Sequence, residues 1–196
     1  MDKKISNGMK KQIAKTIAMH KKMLDSLEAG GIGAIEKIAK IIIKTIEKGG
    51  TLYICGNGGS AADAQHIAGE FIGRFLQNRK ALPAMALSTD TSVITSIAND
   101  YGFDSIFEKQ VEGLVKKQDC LWALSTSGSS PNIIKAAMLA KKRGAKVIAF
   151  TGRKNSKLEK IADACFLAEA DKSFAVQEIH QIAYHIICGL VEGHFA

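Results

Sequence analysis

Five short apolar runs, each set off by a segment of helical spacing, constrain this chain more than any other feature. They fall at 51–55, 84–87, 120–124, 146–150 and 165–168. Strands and helices that alternate at this rhythm predict a parallel sheet with helices on both faces, a three-layer doubly wound α/β architecture. A long helix is predicted ahead of the first run. In residues 3–28, Ile5, Met9, Ile13, Ile17, Leu24 and Leu27 recur at intervals of three, four or seven with lysines opposite. That stripe must be buried somewhere, and a neighbouring subunit is the expected place. A glycine-rich break at 30–33 separates this arm (1–30) from the main domain (31–196). A second helix, 34–48, is apolar on a broad face and stops at Gly49-Gly50.

The chemistry concentrates in 55–74, CGNGGSAADAQHIAGEFIGR. A glycine-serine turn (Gly56 to Ser60) sits between a strand and a helix, an order that aims free backbone N–H groups and the positive helix end at one spot. His66 and Glu70 follow, four apart and so on one helical face. In doubly wound sheets ligands collect at the carboxyl ends of the strands. Three polar turns are expected there: 57–60, 88–91 and 125–130. The third is the best phosphate candidate, with hydroxyls on Ser125, Thr126, Ser127 and Ser130, a permissive Gly128, and Pro131 opening a helix capped by Ser130. Asn99 to Gly102 is read as a turn.

The last helix, 173–195, carries Gln177, His180 and His185. Gln177 and His185 differ by roughly 80° around the axis and can converge on one target. With His66 and Glu70 they would make a four-ligand zinc site, although a Gln ligand is uncommon. Spacing alone also allows an acid–base pair or a solvated face. His180 suits a packing role, and His20 and His194 read as surface residues.

Charge and composition exclude more than they assign. The formal charge of +8 lies largely on lysines near the N-terminus and at 141–143. No basic cluster is interleaved with aromatics, so nucleic-acid binding is not expected; a solvated surface plus attraction for a phosphorylated substrate accounts for the balance. Lysines interrupt the most apolar stretch, so no membrane span is expected. The opening MDKKISNGMKKQIAK lacks the apolar middle of a secretion signal, which predicts a cytoplasmic protein. Cys55, Cys120, Cys165 and Cys188 form no CxxC pair and read as reduced, buried thiols.

With these residues in view, the chain resembles the phosphoheptose isomerases, or sedoheptulose 7-phosphate isomerases, of the SIS (sugar isomerase) domain family. CGNGGSAADAQH-IAGE-FIGRF, STDTS, ANDYGF, STSGSSPN and QEIH-QIAYH stand in the family's order from about residue 30 to the C-terminus. The resemblance implies a flavodoxin-like SIS fold and one zinc per subunit, held by His66, Glu70, Gln177 and His185. It implies sugar contacts from Asn57, Gly58, Gly59, Asn99 and Asp100, and phosphate or sugar contacts from Ser125, Thr126, Ser127 and Ser130. Arg74 matches the family's Gly-Arg after the metal helix. Glu70 and His185 would be the proton carriers of an aldose–ketose isomerisation through an enediol, feeding heptose into lipopolysaccharide or capsule. A homotetramer with sites at subunit boundaries is also implied. One departure is visible: Ala175 stands where the family usually has Arg, two residues before Gln177. Non-catalytic SIS proteins that bind a replication initiator, or sense a phosphosugar, are the alternatives; such binding relatives lack equivalents of Glu70 and His185.

Overall fold

The computed structural model describes residues 2–196, and side chains from residue 6 onward. Two helices lead, α1 (Asp2–Gly30) and α2 (Ile32–Glu47). Then come β1 (Leu52–Gly56), α3 (Gly59–Ile72), β2 (Ala84–Ala86) and α4 (Thr91–Tyr101), followed by a 3-10 turn (Phe103–Ser105) and α5 (Ile106–Leu114). β3 (Cys120–Ser125), α6 (Pro131–Lys142), β4 (Lys146–Thr151), α7 (Lys157–Ile161), β5 (Ala164–Leu167) and α8 (Ser173–Phe195) complete the chain. All pairings are parallel and the strand order is β2-β1-β3-β4-β5, as the alternation predicts. The winding reverses between β1 and β3, which opens a crevice at their carboxyl ends.

Two apolar cores flank the sheet. One joins α2, α3 and α8 to it through Ile38, Ile42, Ile67, Phe71, Tyr184 and Ile187. The other lies under α5, α6 and α7. β1 and β3 are buried along their whole length, so their sequences read as unbroken apolar runs. Among the described residues no helix is long and apolar enough to cross a membrane.

α1 turns a mixed polar and apolar face inward and leaves most of its apolar stripe outward. Thr16, His20, Met23 and Leu27 are partly buried, and Met23 and Leu27 pack against the α2/α3/α8 core. Met9, Ile13, Ile17 and Leu24 point outward, between 39% and 63% exposed; Ile5 lies outside the described side chains. His20 is therefore not a surface residue: it contacts Glu178 and lies beside Phe174. A second apolar row, Ile182, Ile186 and Leu190, is exposed along α8.

Two local expectations are corrected. Asn99 to Tyr101 are the last turn of α4, not a loop. Asp90 caps that helix by accepting from Val93 N–H at 3.0 Å, and nothing breaks it before Gly102, at φ +84°. Ser130 does not cap α6 with its side chain, because its hydroxyl pairs with Ser125 Oγ instead, at 3.1 Å. Cys165 is only partly buried, on the edge strand β5, while the other three thiols are buried.

His180 is fully buried between Phe150 and Phe166, with Nε2 3.4 Å from the Thr151 carbonyl. Burial pushes its pKa down to about 4. The unfolded chain takes the proton near the ordinary value of 6.5 and the folded chain only near 4, so acid favours unfolding. About 3 kcal/mol of stability should therefore be lost between those limits. Urea midpoints of His180→Leu should show a shallower decline over the same window; an unchanged slope would refute the assignment.

Candidate active site

α3 is built from Ala61, Ala62, Ala64, Gln65 and Ala68, good helix formers, and it buries Ala64, Ile67 and Phe71 against the sheet. That phase leaves Asp63, His66 and Glu70 on a flanking stripe, at spacings of three and four. α8 buries Val176, Ile179, Ala183, Tyr184 and Ile187 beside it, which sets His185 at the edge of the same seam. Two helices 119 residues apart in sequence thus meet. His66 Nε2 lies 3.0 Å from Glu70 Oε1 and 3.5 Å from His185 Nε2. The ligand atoms of all three residues lie within 4.8 Å of one another. Two ligands of a tetrahedral ion held at ~2.1 Å stand roughly 3.4 Å apart, so the 3.0 and 3.5 Å separations about His66 Nε2 suit a shared zinc ion.

The imidazoles are held from behind. Tyr184 Oη is 3.0 Å from His66 Nδ1. With Nδ1–H donating to Tyr184, Nε2 faces Glu70 and His185 with its lone pair, the tautomer a metal ligand needs. Burial raises the Asp63 carboxyl to about 6, and its Oδ2 is buried without a partner. Phe75 stacks on His185 at 5.6 Å and 16°. Burial, then the neighbouring His66, pushes the pKa of His185 down, which favours the neutral ring.

The phosphate candidate lies at the β1/β3 crevice. Ser125 Oγ is 3.4 Å from Ser127 Oγ, and Thr126 Oγ1 donates to Ser173 Oγ at 3.2 Å, tying the turn to the start of α8. Asn57 does not project free: its amide and that of Asn132 bond reciprocally at 2.9 and 2.8 Å, which clamps the first and third turns together. The hydroxyl of Ser88, in the second turn, donates to Ala61 O of α3 at 3.2 Å. Gly128 has φ +63°, and a Cβ there would lie 2.3 Å from Ser156 Cβ. Gly128→Ala should strain the turn by about 1–3 kcal/mol. The expected kinetic result is a raised KM with kcat nearer the parent value, since phosphate grip acts on ground and transition states alike.

The other expected residues fall in different places. The Gln177 amide lies against Gly59, where a Cβ would meet its Nε2 at 2.7 Å. This is the amino end of α3, two turns of α8 before His185, or about 12 Å along the axis. Arg74 is exposed just beyond α3. Asn99 and Asp100 are exposed at the far end of α4, their side chains bonded to each other at 2.8 Å. The main contacts of α4 run to the 3-10 turn and α5, so neither residue joins the histidine cluster within one chain. Ala175 is fully buried and offers no group to a ligand. Asp63, Phe75, Asn132 and Tyr184 were not legible as site residues, although Asp63 at three before His66 shares its helical face.

Fold and site together define a SIS domain, and the family model of that description matches residues 16–152. The phosphoheptose isomerase of Thermodesulfovibrio yellowstonii is 50% identical over 161 residues, 82% of this chain and 80% of that protein. That of Helicobacter pylori (strain Shi470) is 43% identical over 188 residues, 94% and 96% of the two chains. The solved structure of phosphoheptose isomerase from Neisseria gonorrhoeae aligns with a TM-score of 0.89 at 35% identity, covering 94% of this chain and 99% of that one. The chain belongs to the phosphoheptose isomerase family.

Proposed function

We propose that this enzyme interconverts sedoheptulose 7-phosphate and D-glycero-D-manno-heptose 7-phosphate by moving a proton between C1 and C2 through an enediol. The observation that carries the reading is the convergence of His66, Glu70 and His185 within 4.8 Å. The serine turn grips the phosphate, and the histidine cluster sits about 10 Å along α3 from Gly59, where the turns gather. That separation suits an open-chain sugar with its carbonyl and phosphate at opposite ends.

Glu70 carries the proton. Its Oε1 lies 3.0 Å from His66 Nε2, placed to share the same ion, while Oε2 has no protein partner among the described residues and can take hydrogen from carbon. His185, neutral and stacked on Phe75, exchanges protons with the sugar oxygens. His66, Glu70 and His185 would hold a zinc ion, with Gln177 the proposed fourth ligand. Zinc bound there supplies Lewis-acid polarisation of the carbonyl. Asn57, Gly58, Gly59, Gln177 and Arg74 are proposed sugar contacts, and Ser125, Thr126, Ser127 and Ser130 phosphate or sugar contacts.

The enzyme is proposed to act in the cytoplasm as a homotetramer, supplying heptose for lipopolysaccharide or capsule. The outward rows on α1 and α8 support assembly, and Asn99 and Asp100 would then serve a neighbouring subunit's site. The initiator-binding and sensing alternatives give way, because a bare binding module has no use for the histidine–carboxylate cluster. Incubation with sedoheptulose 7-phosphate should yield the aldoheptose phosphate, stop after chelation and resume with added zinc. No aldoheptose would overturn the isomerase reading; full activity after exhaustive chelation would overturn the metal alone.

A further inference from the structure

A cavity of about 530 Å³ opens at the edge of the sheet opposite the active site. The end of α2 lines it with Ile41, Lys44, Thr45 and Lys48, the turn before β3 with Lys117 and Gln118, and the start of β4 with Lys146. Four lysines and no carboxylate line it. Only Lys146 has an acidic partner, Asp163 at 3.2 Å, which it shares with Lys141. Among the described residues no carboxylate pairs with Lys44, Lys48 or Lys117. Two acids neighbouring the lining lysines in sequence are engaged elsewhere. Glu47 is bonded to His194 at 2.9 Å. Asp119, only 4% exposed, accepts from Thr51 N–H and Lys116 N–H at 2.8 and 2.7 Å.

Lysines at the end of a helix ordinarily complement the negative end of its dipole. That explains Lys44 and Lys48 on α2, but Lys117 lies in a turn and Lys146 opens a strand. Asp119 braces the floor by fixing the turn on which Lys117 and Gln118 sit. The charge is thus gathered around a firm concavity of ordinary ligand size. We infer that this cavity is a second anion site, taking a small ligand with adjacent phosphate groups, separate from the substrate's phosphate turn. One phosphate would leave most of the positive charge unmatched, and no aromatic side chain lines the cavity to stack nucleic-acid bases. β3 runs from this edge to the serine turn, about 20 Å away, so the two sites can be occupied together.

Calorimetric titration of the full-length enzyme with inorganic pyrophosphate tests the inference, with inorganic phosphate in parallel. The expected result is saturable pyrophosphate binding, tighter than phosphate and weakened by salt. Lys44→Gln combined with Lys117→Gln should weaken it at least about tenfold, with turnover kept as a control for the fold. Ser127→Ala should leave this binding in place. An unchanged affinity in the double lysine variant, loss of binding on Ser127→Ala alone, or no saturable binding in the parent would each overturn the inference. None of these outcomes bears on the isomerase reading, which turns on aldoheptose formation.

Discussion

Glu70→Gln yields a folded protein whose turnover is lower by about three orders of magnitude, while the apparent affinity for the sugar phosphate changes little. The size follows from the role: a positioned proton carrier contributes about 10²- to 10⁴-fold, and an amide of the same shape cannot accept the proton. Packing changes little, because the Glu70 side chain stands at the rim of the α3/α8 seam, 20% exposed, and the buried contacts of α3 come from Ala64, Ile67 and Phe71. Steady-state kinetics alone would not separate a lost base from a displaced metal, so two readouts accompany them. Exchange of the C1 hydrogen of sedoheptulose 7-phosphate with heavy water should stop in the variant, since that exchange needs only proton removal. Zinc content after dialysis should fall less steeply than activity, because Gln keeps an oxygen donor. Turnover within tenfold of the parent would remove Glu70 from the proton transfer.

The alternation of strands and helices carried the architecture because each element announces itself locally. A buried strand is a short apolar run, and β1, β3 and β4 are just that. The spacing of His66 and Glu70 was equally legible, since both lie on one helix. What the chain hides are relations between distant elements. His66 and His185 meet only because Ile67, Phe71, Tyr184 and Ile187 share one core, and no spacing rule spans 119 residues. The face that α1 turns inward is hidden for the same reason. Its strongest apolar row is Met9, Ile13, Ile17 and Leu24, but the neighbours available within one chain accept Thr16, His20, Met23 and Leu27 instead. Asn57 pairs both of its amide groups with Asn132, 75 residues on. Where a polar residue is satisfied by a partner far along the chain, sequence gives its chemistry but not its use.

Glu192 is the sharpest instance, and Glu192→Gln should be strongly destabilising. One of two acids on α8, it is 1% exposed and ion-paired at 3.3 Å with Arg79, whose side chain is 2% exposed. Burial works against its charge, yet the N–H groups of Leu76, Phe75 and Gln77, at 2.6, 2.9 and 3.0 Å, together with Arg79, hold its carboxyl below the ordinary carboxylate range. Arg79 meanwhile donates to the carbonyls of Glu70, Phe71 and Gly73, closing the end of α3. The pair therefore bolts the helix carrying Glu70 to the helix carrying His185, and it holds Phe75 over the His185 ring. Removing one charge strands the other, which costs about 3–5 kcal/mol. In a chain of this size that lowers Tm on the order of 10 °C. Because the folded carboxyl titrates below its unfolded value, the native contribution is present above the ordinary carboxylate range and is lost as pH falls through the folded pKa. Glu192→Gln should accordingly lose less further stability on acidification than the parent does. Arg79→Met with Glu192→Leu strands neither charge, so the double variant should be more stable than the sum of the singles predicts. Even where it folds, kcat should fall more than KM rises, because Glu70 and His185 lose their common brace. A Glu192→Gln protein within about 1 kcal/mol of the parent, with kcat intact, would mean that packing alone aligns the two helices.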